Sequence, residues 1–233
     1  MPTINASKYG YMISSASGTG AFATVRGAST ATGTVINQST SNNQYTVGAN
    51  VAFSSKGDTA TLRRTWWAFN VSSYASGYTI SNLNLKFDPT TNTSTNFPIA
   101  VIKSTAQGNA DTNLSDTDWN NLDFNTLYSD NSSANYWPDT NSISTIELNS
   151  TAISAFSTGY LKVCIVWWFD YTGVGSLVTA NGNAYQNFSY TPRIIFSAAA
   201  SGYPNKVNSI VASSGNKINS IIYTDVNKVN SVD

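Results

Sequence analysis

The strongest constraint on the fold is a series of short segments in which apolar and polar residues alternate. The clearest alternating positions, from two neighbouring segments, are Trp67, Phe69, Val71, Leu83, Leu85 and Phe87. A period of two places such residues on one face of a β-strand. No helical period is visible in residues 1–60, and turn signals such as Ser-Lys-Gly-Asp at 55–58 separate the segments. The sequence therefore predicts an all-β fold.

More candidate strands extend this pattern over most of the chain. We expect them at residues 21–25, 45–47, 51–53, 99–102, 144–148, 161–169 and 191–196. Residues 161–169 are apolar on almost both faces, which is typical of a central strand in a two-layer sandwich. Residues 151–156 predict one helical turn that ends at Gly159. Many short strands separated by turns favour an antiparallel β-sandwich of the jelly-roll type.

The chain is expected to have three parts. Residues 1–40 are rich in Gly, Ser and Thr and are predicted to add strands to the sandwich, residues 41–197 form the main module, and residues 198–233 hold a linker and an extended repeat tail. With 233 residues, the chain is long enough to bury a large core without disulfides or metals. The core is predicted to contain Phe69, Leu83, Leu85, Val163, Ile165, Trp167 and Ile194.

The composition excludes several functional classes. The chain has no histidine, so Ser-His-Asp and Cys-His catalysis are excluded, and its single cysteine, Cys164, allows no internal disulfide. Charged residues make up 10% of the chain and no basic tract is present, which argues against nucleic acid as a partner. We expect no membrane insertion and no Sec export if Met1 is the true start. A neutral surface rich in Ser, Thr and Asn is typical of proteins outside the cytosol or in large assemblies.

Aromatic residues provide the candidate binding residues. In the pairs Trp66-Trp67 and Trp167-Trp168, successive rings face opposite sides of an extended strand, so Trp66 and Trp168 are predicted to point away from the core. Residues 104–145 predict a long polar connection that carries further aromatics. The glycan-binding candidates are Trp66, Trp119, Tyr136, Trp137 and Trp168. Core packing, burial by loops and a subunit interface are open alternatives for these residues.

Acidic residues cluster between positions 111 and 123. Asp111, Asp116 and Asp118 are weak candidates for a Ca²⁺ site, because carboxylates among Asn side chains can hold this ion. Their order matches no EF-hand loop, and a solvated loop is the simpler interpretation. A glycosidase pair is the other alternative, although Glu147 lies on a predicted strand without a visible partner. We predict no catalytic residue and no cofactor.

Three copies of N-K-[VI]-N-S-[VI] end the chain. They start at Asn205, Asn216 and Asn227, eleven residues apart. This period suits a right-handed coiled coil, but Asn, Ser, Gly and β-branched residues are poor helix formers, so we favour short extended segments. A repeat this small cannot bury its own apolar residues and needs neighbours. The predicted docking and assembly residues are Val207, Ile210, Ile218, Ile221, Val229 and Val232.

Three segments, taken in order, resemble one family of modules. RRTWWAFNVSSYASGYTISNLNLKF is similar to the opening of the DNRLRE-like or carbohydrate-binding-like β-sandwich of phage and bacterial surface proteins, with Arg64 at the arginine position. IELNSTAISAFSTGYLKVCIVWWFDYTG and YTPRIIFS resemble its later segments. The family's Phe-Asp is Phe69-Asn70 here, so no role of that carboxylate carries over. The resemblance covers roughly residues 40–197, implies a β-sandwich and transfers no catalytic residue.

The closing repeats are similar to A-K-V-N-G-V units at the ends of phage virion proteins, with Ser209, Ser220 and Ser231 in place of glycine. These resemblances imply a non-enzymatic bacteriophage structural protein on the virion surface: a fibre, a decoration protein or a tail-associated protein. The expected partners are other virion proteins, copies of the chain itself in a homo-oligomer, and host-surface glycans. The alternatives are a secreted glycan-binding adhesin module and a glycan-degrading enzyme.

Overall fold

The computed structural model describes the backbone of residues 1–37, 45–52, 58–87, 89–92, 97–129, 135–137, 144–173, 182–188 and 192–201. Side chains are described for residues 1–37, 58–87, 99–129, 145–173 and 192–201. The chain divides into two units, residues 1–199 and 200–233. The repeats, with the docking residues predicted there, lie outside the described residues.

The described chain consists mostly of strands. They are β1 (Thr3–Asn5), β2 (Lys8–Ser17), β3 (Val35–Asn37), β4 (Tyr45–Ala52), β5 (Thr59–Asn70), β6 (Tyr78–Phe87), β7 (Pro89–Asn92), β8 (Phe97–Ser104), β9 (Leu122–Leu127), β10 (Asn135–Trp137), β11 (Ser144–Glu147), β12 (Tyr160–Trp167), β13 (Gly182–Phe188) and β14 (Arg193–Ala200). The helices are α1 (Ala21–Arg26), α2 (Ser150–Ser154) and α3 (Trp168–Thr172), with 3₁₀ turns at Ser72–Tyr74, Asp116–Asn120 and Ala155–Thr158. None of the described helices is long and apolar enough to span a membrane.

Four strands form a small antiparallel sheet in the order β1-β14-β6-β11. Thr3 of β1 pairs with Ile195 of β14, and Ile146 of β11 pairs with Leu85 of β6. The alternation in β6 buries Leu83, Leu85 and Phe87 completely. The inward face predicted for this strand is confirmed.

The other strands form a large sheet that branches at β5. One edge of β5 pairs along nearly its whole length with β2, which in turn pairs with β3. The other edge pairs with β4 through residues 59–63 and with β12 through residues 65–70. From β4 the sheet continues to β13 and β7, and from β12 it continues to β8, which pairs with β9 and β10.

The sandwich core lies between the two sheets. All seven core residues predicted from the sequence are buried, and Trp167 is the most exposed of them at 6%. Each such side chain contributes about 1.5–3 kcal/mol by leaving water. The predicted antiparallel all-β sandwich is therefore confirmed.

The opposite face of β5, the central strand of the large sheet, is also buried, which the two-layer prediction did not include. It lies under α1, residues 105–121 and α3, which we call the covering layer. The ring of Trp66 on β5 is 6.1 Å from the ring of Trp119 in this layer, and Ala60 and Leu62 are 0–1% exposed. Strand β5 is thus covered on both faces, so the described unit has three layers.

Two predicted strand segments are partly helical instead. Residues 21–25 belong to α1, because Ala21, Phe22 and Val25 fall on one helical face and are buried there. The strand predicted at 161–169 ends at Trp167, where α3 begins. Short apolar runs fit either period, so packing against the large sheet decides the structure of both segments.

The predicted helical turn before Gly159 is confirmed. Asn149 caps α2, since its side-chain oxygen accepts hydrogen bonds from the backbone N–H groups of Thr151 and Ala152. The following 3₁₀ turn ends at Gly159, whose φ of 81° suits a residue without Cβ.

Candidate functional site

Trp119, predicted to be an exposed loop aromatic, is fully buried. Its indole Nε1 donates a hydrogen bond of 3.0 Å to the carbonyl oxygen of Val25 in α1. A capping box between Ser115 and Asp118 fixes the 3₁₀ turn that carries the ring. The prediction that Trp119 contacts a glycan is therefore wrong, because no face of its ring reaches the surface.

Trp66 and Trp168 do not form exposed platforms either. Trp66 faces away from the small sheet, as alternation predicts, but Trp119 covers it and its exposure is 0%. Trp168 lies on α3, so the strand argument used for its orientation does not apply. Its partly buried ring packs 5.3 Å from the ring of Tyr171.

Tyr136 and Trp137 lie on β10, which pairs with the start of β8. Tyr136 is opposite Pro98 and Trp137 is opposite Phe97. Their side chains lie outside the described residues, so their assignment as glycan-binding residues stays a prediction.

The acidic residues near position 115 serve local structure. Asp118 accepts hydrogen bonds from the Ser115 N–H at 2.9 Å and from the Asn121 side chain at 2.7 Å, while Asp111 accepts one from the Asn109 N–H. Asp116 is exposed at the start of the same 3₁₀ turn. Within the described ranges, no group of three His, Cys, Asp or Glu side chains could hold a metal ion. The structure thus gives no support to the calcium prediction.

The most elaborate polar arrangement is buried beneath the covering layer. Arg64 on β5 donates to both carboxylate oxygens of Asp170 on α3, from Nε at 2.7 Å and from Nη2 at 2.9 Å. The side chains are 0% and 1% exposed. The paired fork-to-carboxylate geometry is the strongest form of this interaction.

The remaining donors of Arg64 bind backbone carbonyls of the covering layer. Nη1 donates to Trp119 at 3.0 Å and Nη2 donates to Arg26 at 3.2 Å. The Arg64 guanidinium also lies 4.1 Å from the centre of the Trp119 ring. One side chain thereby links β5, α1, α3 and the 3₁₀ turn.

Arg26, which is partly exposed, contacts the same group of residues. Its Nε donates to the Asp170 carbonyl at 2.6 Å and its guanidinium lies 4.2 Å from the centre of the Phe124 ring. We call Arg26, Arg64, Trp119, Phe124 and Asp170 the arginine cluster. Its ion pair and its hydrogen bonds to backbone carbonyls of α1, α3 and the 3₁₀ turn join the layers.

Sequence reasoning found only part of this cluster. Arg64 was identified at the arginine position of the family resemblance, whereas Asp170 and Arg26 were missed. The available signal was an aspartate directly after the apolar run WWF, where an uncompensated charge would be costly.

Nearby, burial strongly raises the pKa of the Cys164 thiol, which keeps it protonated and unreactive.

A second anchor holds the first part of the connection between β8 and β9. Lys162 on β12 donates to the carbonyl oxygens of Thr105 and Gly108, at 3.1 and 2.8 Å. Burial lowers the pKa of this ammonium group. The segment it binds contains Gln107 and Ala110 with φ of 62° each, a conformation that needs support from its surroundings.

An exposed aromatic surface lies at the other sheet. Tyr78, the first residue of β6, is 44% exposed, and its ring centre is 5.1 Å from that of Tyr74. Tyr74 packs edge-on against Phe196 at 5.0 Å. This surface, which we call the tyrosine patch (Tyr74 and Tyr78), was missed because Tyr78 follows a glycine in a Ser-rich turn and belongs to no aromatic pair.

Comparison with known proteins adds no family or relative to this geometry. No model of a known protein family matches the chain, and no curated protein is significantly similar to it in sequence.

Proposed function

We propose that this chain is a non-enzymatic structural protein of a bacteriophage virion, displayed on the particle surface as a fibre, decoration or tail-associated protein. The observation that carries the proposal is the junction between a sandwich and a repeated segment. The last sandwich strand, β14, ends at Ala200, and the three NK[VI]NS[VI] copies follow from Asn205. A folded unit is thus joined to a segment that repeats one short apolar pattern.

The interior of the sandwich supports a structural role. Arg64 and Asp170 form a buried ion pair, and the rings of Trp66 and Trp119 pack against each other between two layers. Such groups give rigidity and a fixed surface shape, which is what a displayed module needs. The 10% content of charged residues leaves a largely neutral polar exterior that suits dense packing of many copies.

The repeats supply the attachment in this proposal. Each copy carries apolar residues that a unit of eleven residues cannot bury alone. Copies of the chain in a homo-oligomer, or another virion protein, would cover them. Three equivalent copies also strengthen attachment through multivalency without any new type of contact.

The test is a full-length variant in which the six predicted docking residues are changed to serine. These are Val207, Ile210, Ile218, Ile221, Val229 and Val232. We expect normal circular dichroism of the sandwich but loss of the protein from particles purified from a producing culture, measured as copies per particle by quantitative mass spectrometry. The matched control changes Ser209, Ser220 and Ser231 to alanine and should incorporate normally.

Incorporation of the six-serine variant at the wild-type copy number would contradict the role of the repeats. Absence of the wild-type chain from every particle fraction would contradict the virion assignment itself. In that case the secreted adhesin module becomes the better proposal, because the exposed Tyr78 is the kind of residue that contacts sugars. Release of reducing ends from a host polysaccharide would instead favour the glycan-degrading enzyme.

A further inference from the structure

Tyr78 stands out among the described side chains by its exposure. Besides Met1, it is the only exposed large hydrophobic residue in that part of the chain. It follows Gly77, whose φ of 76° turns the backbone into β6. The ring therefore lies at the start of a strand, directly after a glycine turn.

A column of rings supports Tyr78 from below. Its ring packs on Tyr74, Tyr74 packs edge-on against Phe196, and Phe196 packs against Phe156, with ring centres 5.0–5.1 Å apart. Phe196 and Phe156 are 0% and 2% exposed. The outermost ring is thus packed on rings of the core, so a ligand that stacks on it causes little loss of side-chain conformational entropy.

Two chain segments that contribute to the tyrosine patch and its support are polar but uncharged. Residues 70–82 and 150–160, which include both tyrosines and the segment around Phe156, contain no Asp, Glu, Lys or Arg. Within the described part of the chain, the hydroxyl groups of Tyr74 and Tyr78 make no hydrogen bond to protein atoms. The patch therefore offers an aromatic face, two hydroxyl groups and no charge.

We propose that the tyrosine patch is a contact site for neutral carbohydrate. A sugar ring has an apolar C–H face that packs on an aromatic ring and hydroxyl groups that pair with tyrosine hydroxyls. A charged polymer would find no counter-charge in residues 70–82. The inference rests on the proposed function, since attachment to a host surface is what gives a sugar contact its role.

A single tyrosine contact is weak by itself. Millimolar binding corresponds to about 4 kcal/mol, but many copies on one particle raise the avidity by roughly 10²–10⁴. The experiment must therefore present many copies. Full-length protein is coupled at high density to beads, and the probes are fluorescent dextran, mannan and galactan, with carboxymethyl-dextran as a charged polymer.

We expect at least one neutral polymer to bind the beads. Tyr78→Ser should reduce that binding at least tenfold, because stacking on one ring is worth up to about tenfold per site and display multiplies the loss. Tyr74→Phe should reduce it less, since the supporting ring stays. Tyr11→Ser, on β2 of the other sheet, is the matched control and should bind as wild type.

Three results would overturn the proposal. They are no binding of any neutral polymer, equal binding by Tyr78→Ser, or tighter binding of carboxymethyl-dextran than of dextran. Light scattering of the free protein tests the competing occupant, since self-association abolished by Tyr78→Ser would assign the patch to a second copy of the chain. The six-serine repeat variant leaves both tyrosines unchanged, so failure of the particle test and failure of the sugar test are distinguishable.

Discussion

Both faces of β5, the central strand of the large sheet, are buried, but different forces cover them. The face toward the small sheet is apolar, with Trp67, Phe69 and Val163 fully buried in the sandwich core. The face toward the covering layer combines apolar packing with the arginine cluster, in which Arg64 and Asp170 are 0% and 1% exposed. The first face needs only residues of the right shape, whereas the second depends on a few specific partners.

The difference shows how a long connection becomes part of a core. The sequence predicts a long polar connection at residues 104–145, and residues 105–121 of the covering layer belong to it. Trp119 nevertheless reaches the sheet, because its carbonyl oxygen accepts a hydrogen bond from Arg64 and its indole N–H donates one to the carbonyl oxygen of Val25. Directional hydrogen bonds thus fix a segment that apolar pattern alone would leave at the surface.

The largest effect that tests this comparison is expected for Trp119→Ala. Loss of a large core aromatic costs about 3–5 kcal/mol, and loss of the desolvated stack on Arg64 adds about 2 kcal/mol. We therefore expect the free energy of unfolding to fall by about 5 kcal/mol or more, measured by urea denaturation. Trp167→Ala, in the sandwich core, should cost about 3–5 kcal/mol.

A loss below about 1 kcal/mol at either position would show that the ring is not packed as described. Equal losses at both tryptophans would remove the distinction between the two faces, because the arginine cluster would then contribute nothing beyond apolar burial.

The next effect isolates the ion pair. Asp170→Ala leaves the Arg64 charge buried without its partner, so unfolding should become easier by about 3–5 kcal/mol. The double variant Arg64→Met with Asp170→Leu should recover part of this loss, since no unpaired charge is left. Arg26→Met should cost less than Asp170→Ala, because the Arg26 side chain is 28% exposed and its ion pair is long at 3.7 Å.

A cycle of Arg64→Met, Asp170→Leu and the double variant measures the coupling between Arg64 and Asp170 directly. Additive losses would mean that the two residues act independently. That result would contradict the description of the arginine cluster as one unit.

The smallest effect concerns Tyr128, which directly follows β9 at the end of the connection from β8 and is 3% exposed. Burial, followed by the negative charge of Asp123, raises the pKa of Tyr128 to about 12. The folded state therefore holds this proton more tightly than the unfolded state, whose tyrosine pKa is about 10. The stabilisation that comes from the raised pKa of Tyr128 is fully present below pH 10. It is lost as pH rises toward 12, which lowers the free energy of unfolding by about 2–3 kcal/mol.

Tyr128→Phe has no proton to lose and should show a correspondingly smaller decrease between pH 10 and 12 in urea denaturation. An unchanged decrease in this variant would assign the alkaline loss of stability to other groups. It would also weaken the evidence that the end of the connection is tightly packed.

The sandwich itself could be predicted from the sequence because its signal is local. Phe69, Leu83 and Leu85 follow a period of two, and that period states which face is covered. The helical turn predicted at 151–156 was also visible, since the closing Gly159 marks its end.

The covering layer could not be predicted in the same way because its contacts join distant residues. Arg64 and Asp170 are 106 positions apart, and Arg26 lies 144 positions from the Asp170 carbonyl that it binds. Trp119 was assigned to the surface from its polar neighbours, which instead cap its own turn. The tyrosine patch was missed for the opposite reason, since one exposed ring has no periodic signal.

The pairing of β1 with β14 has a mechanical consequence. The two strands are antiparallel, with Thr3 opposite Ile195 and the Phe196 N–H bonded to the Pro2 carbonyl, so the N-terminus and the continuation toward residue 201 leave the small sheet at the same end. A pull between these two points loads one hydrogen-bonded pair at a time, as in opening a zipper. The first strand should therefore peel away at low force while the rest of the sandwich stays intact.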